Sequence, residues 1–322
     1  MFETLHVTPM QPRVVVCVPT LRRAAHLRLT LASIAAQDVA DEVACLVADN
    51  DATGREGAAA AIAMMREGTV RGAVIVVPEP GNCSACSNAF AAARALYPDA
   101  PFVAMIDDDE LATPTWLRRL LEAQVASGAD LVGGPVEPRF ELADHARFSV
   151  HPVFKPFYRA SGPVPFLYGS GNFLMRSEVL DRIGAPYFDP AFNFVGGGDI
   201  DFFKRCRALG FTAYFESEAL ATETVPASRT TVRWVMARSL RYGAINYMLE
   251  SKAATGAGAR LRITLKSAAL LGVGSLRAIR RLAASRNLLV ASHPVVEAVG
   301  RVAAQLGRRP EQYRQRPSGQ TQ

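Results

Sequence analysis

The chain has 322 residues, of which 49% are hydrophobic and 20% are charged, and its formal net charge is +6. This length and composition are typical of a globular protein with one large or two modest domains, and they exclude a largely disordered chain. The charge is uneven: from Pro226 onward there are 17 Lys and Arg against 3 Asp and Glu, and before it 19 against 27. We expect these two regions to face different partners.

Cysteine usage and the lack of long apolar runs indicate where the protein works. Five cysteines, an odd number spread along the chain, favour reduced thiols over a disulfide framework. The N-terminal stretch lacks the basic and apolar regions of a signal peptide, and no stretch has the roughly 18 uninterrupted apolar residues that would span a bilayer. We therefore expect a cytoplasmic protein, with attachment to the inner face of the cytoplasmic membrane left open.

The first part of the chain alternates between two sequence patterns. β-branched apolar runs that end in Pro, Asp or Asn predict strands, and runs rich in Ala, Leu, Arg and Glu predict helices. The strands are expected at 13–19, 42–50, 72–80 and 101–109, and the helices at 22–37, 56–67, 83–96 and 114–127. Thr113 and Pro114 should cap and open the last helix. This βαβα order predicts an α/β fold with a mostly parallel sheet and helices on both faces.

Each predicted strand ends in polar residues, and the carboxyl ends of parallel strands are where ligands of open α/β sheets bind. The fourth strand ends in three consecutive aspartates. In extended backbone Asp107 and Asp109 point to one side while Asp108 faces away. Two carboxylates at this spacing suit a divalent cation such as Mg²⁺ or Mn²⁺ that keeps places for phosphate oxygens. The alternative is an acidic loop before a helix N-terminus, and the aspartates alone do not decide between the two.

Four segments, "VCVPTLRR", "CLVADND", "NCSACSNAFAAA" and "IDDDE", occur in this order and resemble the nucleotide-sugar-binding half of family 2 glycosyltransferases, which have the GT-A fold. In that family Asp107 and Asp109 would hold the metal, with Asp109 as the leading ligand. Ser87 stands where the family usually has Arg. The resemblance implies donor contacts from Pro19, Thr20, Arg23, Asp49, Asn50, Asn82, Asn88, Asp107 and Asp108.

The third of these segments also contains a C-x-x-C pair, Cys83 and Cys86. A redox pair would suit this position at a helix N-terminus, where thiolates are stabilised. However, the chain has no second C-x-x-C for zinc, and small residues suit close packing of the helix on the sheet. We favour the packing interpretation.

Two later segments, "YGSGNFLMRSEVLDRIG" and "FDPAFNFVGGGDIDFFKRCRALGF", resemble the acceptor side of the same family. The resemblance makes Asp199 the catalytic base of an inverting transfer, which must take a proton from the attacking hydroxyl. It implies acceptor or diphosphate contacts from Gly171, Asn172 and Asp201, although Asp201 could equally be a helix cap. Gly198 replaces the Glu that usually precedes the base.

The segment "ETVPASRTTVRWVMARSLRYG" resembles bacterial exopolysaccharide glycosyltransferases of the succinoglycan type. It implies that Glu223, Arg229 and Arg238 contact the acceptor or a diphosphate. For Arg238, an ordinary solvated basic face with Trp234 packed inward is the alternative.

The resemblance divides the chain into three regions. Residues 1–245 form the GT-A domain, with a nucleotide-sugar half at about 13–130 and an acceptor half at about 131–245. Residues 246–305 form a basic helical extension that could lie on an anionic membrane surface or pack as ordinary helices. Residues 306–322 are expected to be disordered.

The predicted function is transfer of a sugar from a nucleoside-diphosphate donor, with UDP as first choice, to a saccharide or lipid-linked saccharide in polysaccharide or cell-envelope glycan synthesis. A sugar nucleotidyltransferase is one alternative, but "PTLRRAAHL" lacks the glycines of a phosphate loop. A non-catalytic basic adaptor on a membrane surface is the other. Nucleic-acid binding is not expected, because Tyr313 is the only aromatic residue from 251 onward.

Overall fold

The computed structural model describes residues 1–39 and 42–308, and this part of the chain divides into two compact units. The predicted domain boundary at residue 245 falls inside a helix of the second unit, and most of the predicted tail, from 309 onward, lies outside the described residues. The first unit contains Met1–Glu137, Pro156–Asn193 and Gly198–Glu223, and the second contains Pro138–Lys155, Phe194–Gly197 and the chain from Thr224.

The four strands and four helices predicted before residue 130 are all present, each within a few residues of its expected bounds. The strands of the described chain are β1 (Glu3–Val7), β2 (Val14–Thr20), β3 (Val43–Asp49), β4 (Gly72–Val76), β5 (Phe102–Ile106), β6 (Glu110–Ala112), β7 (Leu131–Gly133), β8 (Val136–Phe140), β9 (Gly162–Val164), β10 (Asn172–Arg176), β11 (Ala213–Phe215) and β12 (Ala221–Val225). The α-helices are α1 (Ala24–Ala35), α2 (Glu56–Arg66), α3 (Asn82–Leu96), α4 (Trp116–Ser127), α5 (Ser177–Ile183), α6 (Gly198–Ala208), α7 (Val232–Ala253), α8 (Gly256–Ser285) and α9 (Leu288–Gln305).

A mixed sheet with the strand order β1-β4-β3-β2-β5-β10-β7-β11-β9 forms the centre of the first unit. The strands β4, β3, β2 and β5 are parallel, and their register pairs Thr20 with Asp49. Strand β10 is antiparallel to β5 and pairs Asn172 with Ile106. The start of β10 therefore lies beside the end of β5, where the aspartates begin.

Helices cover both faces of this sheet because alternate residues of each buried strand point to opposite sides. On one face Val16 and Val47 pack in a core with α1, α2 and α4. On the other face the Cys17 thiol donates a hydrogen bond to the Ala89 carbonyl oxygen of α3, and Phe90 meets Phe173 edge to face. The strands between these layers are fully buried, as expected for parallel strands in an α/β fold.

A second sheet, in the order β6-β12-β8, adjoins the loop of aspartates. Strands β6 and β12 are antiparallel, and their register places Glu223 opposite Glu110. Two acidic side chains thus meet across this strand pair.

The three long helices of the second unit pack at close backbone distance. A Cβ at Gly243 of α7 would lie 1.8 Å from the Glu297 carbonyl oxygen of α9, and one at Gly300 would lie 1.9 Å from the Leu240 carbonyl oxygen. Only glycine permits this approach. Among the described residues, no helix combines the length and hydropathy needed to cross a bilayer.

Candidate active site

The carboxyl ends of β2 and β5 are joined through Asp108. Its Oδ2 accepts a hydrogen bond from the Thr20 hydroxyl at 2.7 Å, and its Oδ1 accepts one from Arg23 Nη1 at 3.0 Å. The same Arg23 nitrogen donates to Asp109 Oδ2 at 2.7 Å. Asp108 is buried, so these charge-assisted bonds are worth more than bonds in water. Asp108 and Thr20, both predicted donor ligands, therefore also hold the strand ends in place, and Pro19 lies within β2 beside Ala48.

The carboxyl group of Asp107 has a strongly raised pKa. Burial, and after it the charges of Asp109, Asp108 and Glu223, raise this pKa to about 8, while Arg23 acts to lower it. Its backbone N–H donates to Glu110 Oε2 at 3.2 Å. An acid with this pKa is largely protonated at neutral pH and ionises readily when a cation comes near.

Glu110 belongs to the same candidate site, although it was not among the predicted site residues. Its side chain is buried, and burial together with the charges of Asp107 and Glu223 raises its pKa well above the usual value. A Cβ at Gly171 would lie 2.1 Å from Glu110 Oε1, so the carboxyl group rests against the glycine backbone. Its position directly after Asp109 is the only signal in the sequence. We call Asp107, Asp109, Glu110 and Glu223 the acidic cluster.

The acidic cluster fits a divalent cation whose remaining coordination places are filled by a bound ligand. No group of three or more His, Cys, Asp or Glu in the described part of the chain is arranged to hold a metal by itself. Asp107 and Asp109 are nevertheless hard oxygen ligands, and a cation would relieve the repulsion that raises the pKa of Asp107. Two protein carboxylates also leave coordination places for diphosphate oxygens.

The polar side chains at the end of β3 bond to nearby backbone. Asp49 accepts hydrogen bonds from the N–H groups of Asp51 at 2.9 Å and Ala58 at 2.8 Å, which ties the first turn of α2 to β3. Asn50 donates to the Val77 and Glu79 carbonyl oxygens and accepts from the Gly81 N–H. These two residues shape the loops around the crevice. Their predicted contact with a nucleotide stays a prediction.

Helix α3 begins at Asn82, in the segment with the C-x-x-C pair. Asn82 Oδ1 accepts from the Cys86 thiol, and Asn88 Nδ2 donates to the Ser84 carbonyl oxygen at 2.9 Å. Cys83 and Cys86 are buried free thiols. The pKa of Cys86 is raised well above its usual value, first by burial and then by charges that include Asp107 and Asp199. A buried, protonated thiol is a poor nucleophile, which supports the packing interpretation.

Asp199, the predicted base, lies in the first turn of α6. Its Oδ2 accepts a hydrogen bond from the Gly169 N–H at 2.9 Å. The residue before Asp199, Gly198, packs on the start of α3, where a Cβ at position 198 would lie 2.5 Å from the Cys83 sulfur. The charges of Asp107 and Asp199 both contribute to the raised pKa of the Cys86 thiol in the same helix. The start of α6, which carries the predicted base, therefore lies beside the start of α3.

Asp201 and Asn172 have well-defined partners within the fold. Asp201 is buried and forms an ion pair with Arg205 at 3.0 Å, one turn later in α6. Asn172 accepts from Trp116 Nε1 at 2.7 Å and donates to the Pro135 and Ala219 carbonyl oxygens. These contacts favour structural roles, and any contact with acceptor or diphosphate stays a prediction.

An aromatic group beside Asp199 is a further feature that the sequence did not reveal. The rings of Phe157 and Tyr168 stack with centroids 3.6 Å apart, and Phe166 lies 4.9 Å from Tyr168. Phe157 is 67% exposed. Tyr168 directly precedes Gly169, whose N–H holds Asp199.

The two arginines predicted to contact the acceptor or a diphosphate, Arg229 and Arg238, lie in the second unit. Arg229 ends a short 3-10 segment at Ala227–Arg229. Arg238 lies in α7 with its guanidinium carbon 5.9 Å from the Trp234 ring and 5.2 Å from the Tyr242 ring. Such cation–π contacts orient the Arg238 side chain without neutralising it.

The mixed sheet with carboxylates at the ends of its parallel strands agrees with the GT-A fold expected from the sequence. Residues 12–241 match the model of glycosyltransferase-like family 2, and the chain belongs to that family. This match leaves the nucleotidyltransferase alternative without support.

Known relatives agree with this assignment. The chain is 30% identical over 275 residues to the succinoglycan biosynthesis protein ExoM of Rhizobium meliloti strain 1021, covering 83% of this chain and 82% of that protein. The fold resembles the mannosyltransferase PcManGT of Pyrobaculum calidifontis, solved with GDP-Man and Mn²⁺, with a TM-score of 0.60, 18% identity and coverage of 92% and 89%. It also resembles TarS of S. aureus with a TM-score of 0.51 and 14% identity, covering 73% of this chain but only 42% of TarS.

Proposed function

We propose that this protein is a metal-dependent inverting glycosyltransferase of exopolysaccharide synthesis. It moves a sugar from a nucleoside-diphosphate donor, with UDP as first choice, to a saccharide or lipid-linked saccharide. The observation that carries this proposal is the acidic cluster at the end of β5, where the Asp107 N–H bonds to Glu110 and Glu110 lies opposite Glu223, in a chain of the glycosyltransferase family. The name of the relative ExoM supports the exopolysaccharide context.

On the donor side, Asp107 and Asp109 would hold Mn²⁺ or Mg²⁺, which neutralises charge on the departing nucleoside diphosphate. The relative PcManGT was solved with both a nucleotide sugar and Mn²⁺, which supports a divalent cation here. Arg23 forms ion pairs with Asp108 at 3.0 Å and Asp109 at 2.7 Å, which orient both carboxylates. The acidic cluster thus presents negative charge to a cation, and the positive charge of Arg23 reduces the repulsion between its carboxylates.

On the acceptor side, Asp199 takes the proton of the attacking hydroxyl. The Gly169 N–H fixes one carboxylate oxygen, so the side chain has a defined direction. The stacked rings of Phe157 and Tyr168 offer a flat apolar surface next to this base, suited to the apolar face of a sugar ring. These contacts support a saccharide as the group that receives the donor sugar.

Arg229 and Arg238 are proposed ligands of an anionic group on the acceptor or carrier. We also propose that the enzyme works in the cytoplasm against an anionic membrane surface, with the helices after residue 245 in contact with lipid. A lipid-linked acceptor would be available there. The alternative of a non-catalytic adaptor on that surface predicts neither nucleotide-sugar binding nor turnover.

The test is calorimetry of the full chain with a panel of nucleoside-diphosphate sugars in the presence and absence of Mn²⁺. We expect one donor to bind only with Mn²⁺, and Asp109→Ala to abolish that binding. Asp99→Ala is the matched control, because Asp99 is an exposed aspartate just before the other end of β5. Donor binding that is equally strong without Mn²⁺ and in Asp109→Ala would contradict the metal assignment.

Turnover separates the base from the donor site. Asp199→Asn keeps the shape of the side chain but cannot accept a proton, so it should bind the donor normally and lose about 10²-fold or more in rate. Normal turnover in this variant would remove Asp199 from the mechanism. A protein that binds no member of the panel would favour the adaptor alternative.

A further inference from the structure

Helix α8 is held in a fixed rotation by the other helices of its unit. A Cβ at Gly274 would lie 2.8 Å from the Pro294 carbonyl oxygen of α9, and Ser267 Oγ accepts a hydrogen bond from Arg301 Nε at 2.9 Å. Arg301 also donates to Glu250 of α7 at 2.6 Å. Ser267 and Gly274 are two turns apart on one face. That face is packed inward, so the opposite face of α8 points away from α9.

The outward face of α8 is apolar. Leu261, Leu265, Leu276 and Ile279 are 60%, 62%, 51% and 66% exposed. At the α-helical repeat these four side chains lie within about 60° of one another, and the row extends about 27 Å along the helix. We call these four residues the outer stripe. Between Leu265 and Leu276 this face carries only the small residues Ala268, Ala269 and Gly272. Surfaces in contact with water seldom expose four large apolar side chains on one face of a single helix.

The border of the outer stripe is basic. Helix α8 contains six Arg and Lys, and no Asp or Glu. Arg262 and Arg280 are exposed and five turns apart, so they lie on the same edge of the stripe. Arg277 is exposed further round the helix on that side, as is Lys266, which forms an ion pair with Glu250 at 2.6 Å. An apolar row beside a row of cations matches the boundary between acyl chains and anionic headgroups.

We propose that α8 docks into the surface of an anionic lipid bilayer, with the outer stripe among the acyl chains and Arg262 and Arg280 at the lipid phosphates. A second copy of this chain fits the surface less well, because two such faces would bring like charges together. The proposal names the surface on which the proposed glycosyltransferase would work. It rests on that proposed function only because a lipid-linked acceptor would lie in the same membrane. Binding to vesicles is measured without donor or acceptor.

The test is co-sedimentation of the full chain with vesicles of phosphatidylcholine alone and with about 30% phosphatidylglycerol added. We expect binding to the anionic vesicles only. The double variant Leu265→Gln, Ile279→Gln should bind these vesicles about tenfold more weakly or worse, since it removes two buried apolar side chains. Arg262→Gln with Arg280→Gln should also lose about tenfold, and higher salt should weaken the wild type but affect this variant less.

The control is Leu29→Gln with Val125→Gln, which changes two exposed apolar residues of the first unit and should bind as the wild type does. Wild-type protein that ignores the vesicles, or binds neutral ones equally, overturns the proposal, as does normal binding by the outer-stripe variant. A wild-type dimer that this variant converts to monomer would instead assign the stripe to a second copy. Donor calorimetry on the same variants reports on the glycosyltransferase proposal independently of the vesicle result.

Discussion

Gly198 and Cys83 are packed so closely that a Cβ at position 198 would lie 2.5 Å from the Cys83 sulfur. The resemblance to the family predicts a Glu where this chain has Gly198, and a side chain at that position would clash with Cys83 of α3. The two positions act as a pair: a small residue at 198 accommodates the thiol at 83.

The pair predicts a non-additive result. Gly198→Ala should destabilise the protein by about 1–3 kcal/mol because it overpacks this contact. In the Cys83→Ala background, which removes the sulfur, most of that cost should disappear. Urea unfolding of the wild type, both single variants and the double variant measures the coupling. Additive free energies of unfolding would show that the contact does not limit position 198.

The bond between Thr20 and Asp108 predicts a loss of stability that depends on the hydroxyl group. Thr20→Val keeps the side-chain shape but leaves the buried Asp108 carboxylate with one fewer donor, so the free energy of unfolding should fall by about 1.5–3 kcal/mol. Thr20→Ser keeps the hydroxyl and should lose less. If the serine and valine variants were equally stable, packing of the Thr20 methyl group would explain the effect.

The raised pKa of Asp107 predicts that metal binding strengthens with pH. Below about pH 8 the carboxyl group is mostly protonated in the free protein, so a cation must displace a proton. The apparent affinity for Mn²⁺ should therefore rise as pH increases from 6 to 8, and level off above. Calorimetry in buffers of different ionisation enthalpy should detect the released proton. In Asp107→Asn the proton release should vanish, and its persistence would assign the proton to another group.

The second unit contains a pair of histidines that should make the protein sensitive to acid. The His151 and His293 rings meet edge to face with centroids 5.1 Å apart, and His293 Nδ1 is 2.8 Å from the Ser239 hydroxyl oxygen. Burial lowers the pKa of each to about 4. In the unfolded chain these histidines bind protons near pH 6.5, whereas in the folded chain they bind them only near pH 4. Their contribution to the free energy of unfolding is therefore fully present above pH 6.5 and is lost as pH falls toward 4.

Thermal unfolding between pH 7 and pH 4 measures this effect. His293→Asn should flatten the acid limb of the stability curve, whereas His26→Asn, a change in α1 of the first unit, should leave it unchanged. An unchanged acid limb in His293→Asn would show that carboxyl groups, not this pair, cause the acid sensitivity.

Local patterns were sufficient to predict the parallel part of the sheet. Runs such as "VVVCVPT" and "VACLVAD" are apolar on both faces, and helical runs separate them. The predicted start of α4 was wrong, because the helix begins at Trp116 and the Thr113 hydroxyl donates to the Leu220 carbonyl oxygen instead of capping it. That partner is more than a hundred residues away, so local sequence could not reveal it.

The candidate site residues proposed from the sequence belong to short motifs, whereas residues that were not selected, such as Glu110, are placed by segments distant in the chain. Asp107 and Asp109 were chosen from three adjacent aspartates. Glu110 lies against Gly171, which precedes β10, and opposite Glu223 of β12, so its surroundings come from distant parts of the chain. The bonds that occupy Asn172 also come from three separate segments. Burial and backbone contacts of this kind depend on tertiary structure, which a single sequence does not display.

The pairing of β6 with β12 sets when the site can form during synthesis. The acidic cluster needs Asp107 from the first third of the chain and Glu223 from well beyond its middle. A nascent chain that ends before Glu223 can build its parallel strands early, since domains fold as their segments emerge from the ribosome, but it holds β6 as an open edge. The complete acidic cluster should therefore assemble late, so that truncated products would carry Asp107 and Asp109 on the first layers of the fold without Glu223 opposite Glu110.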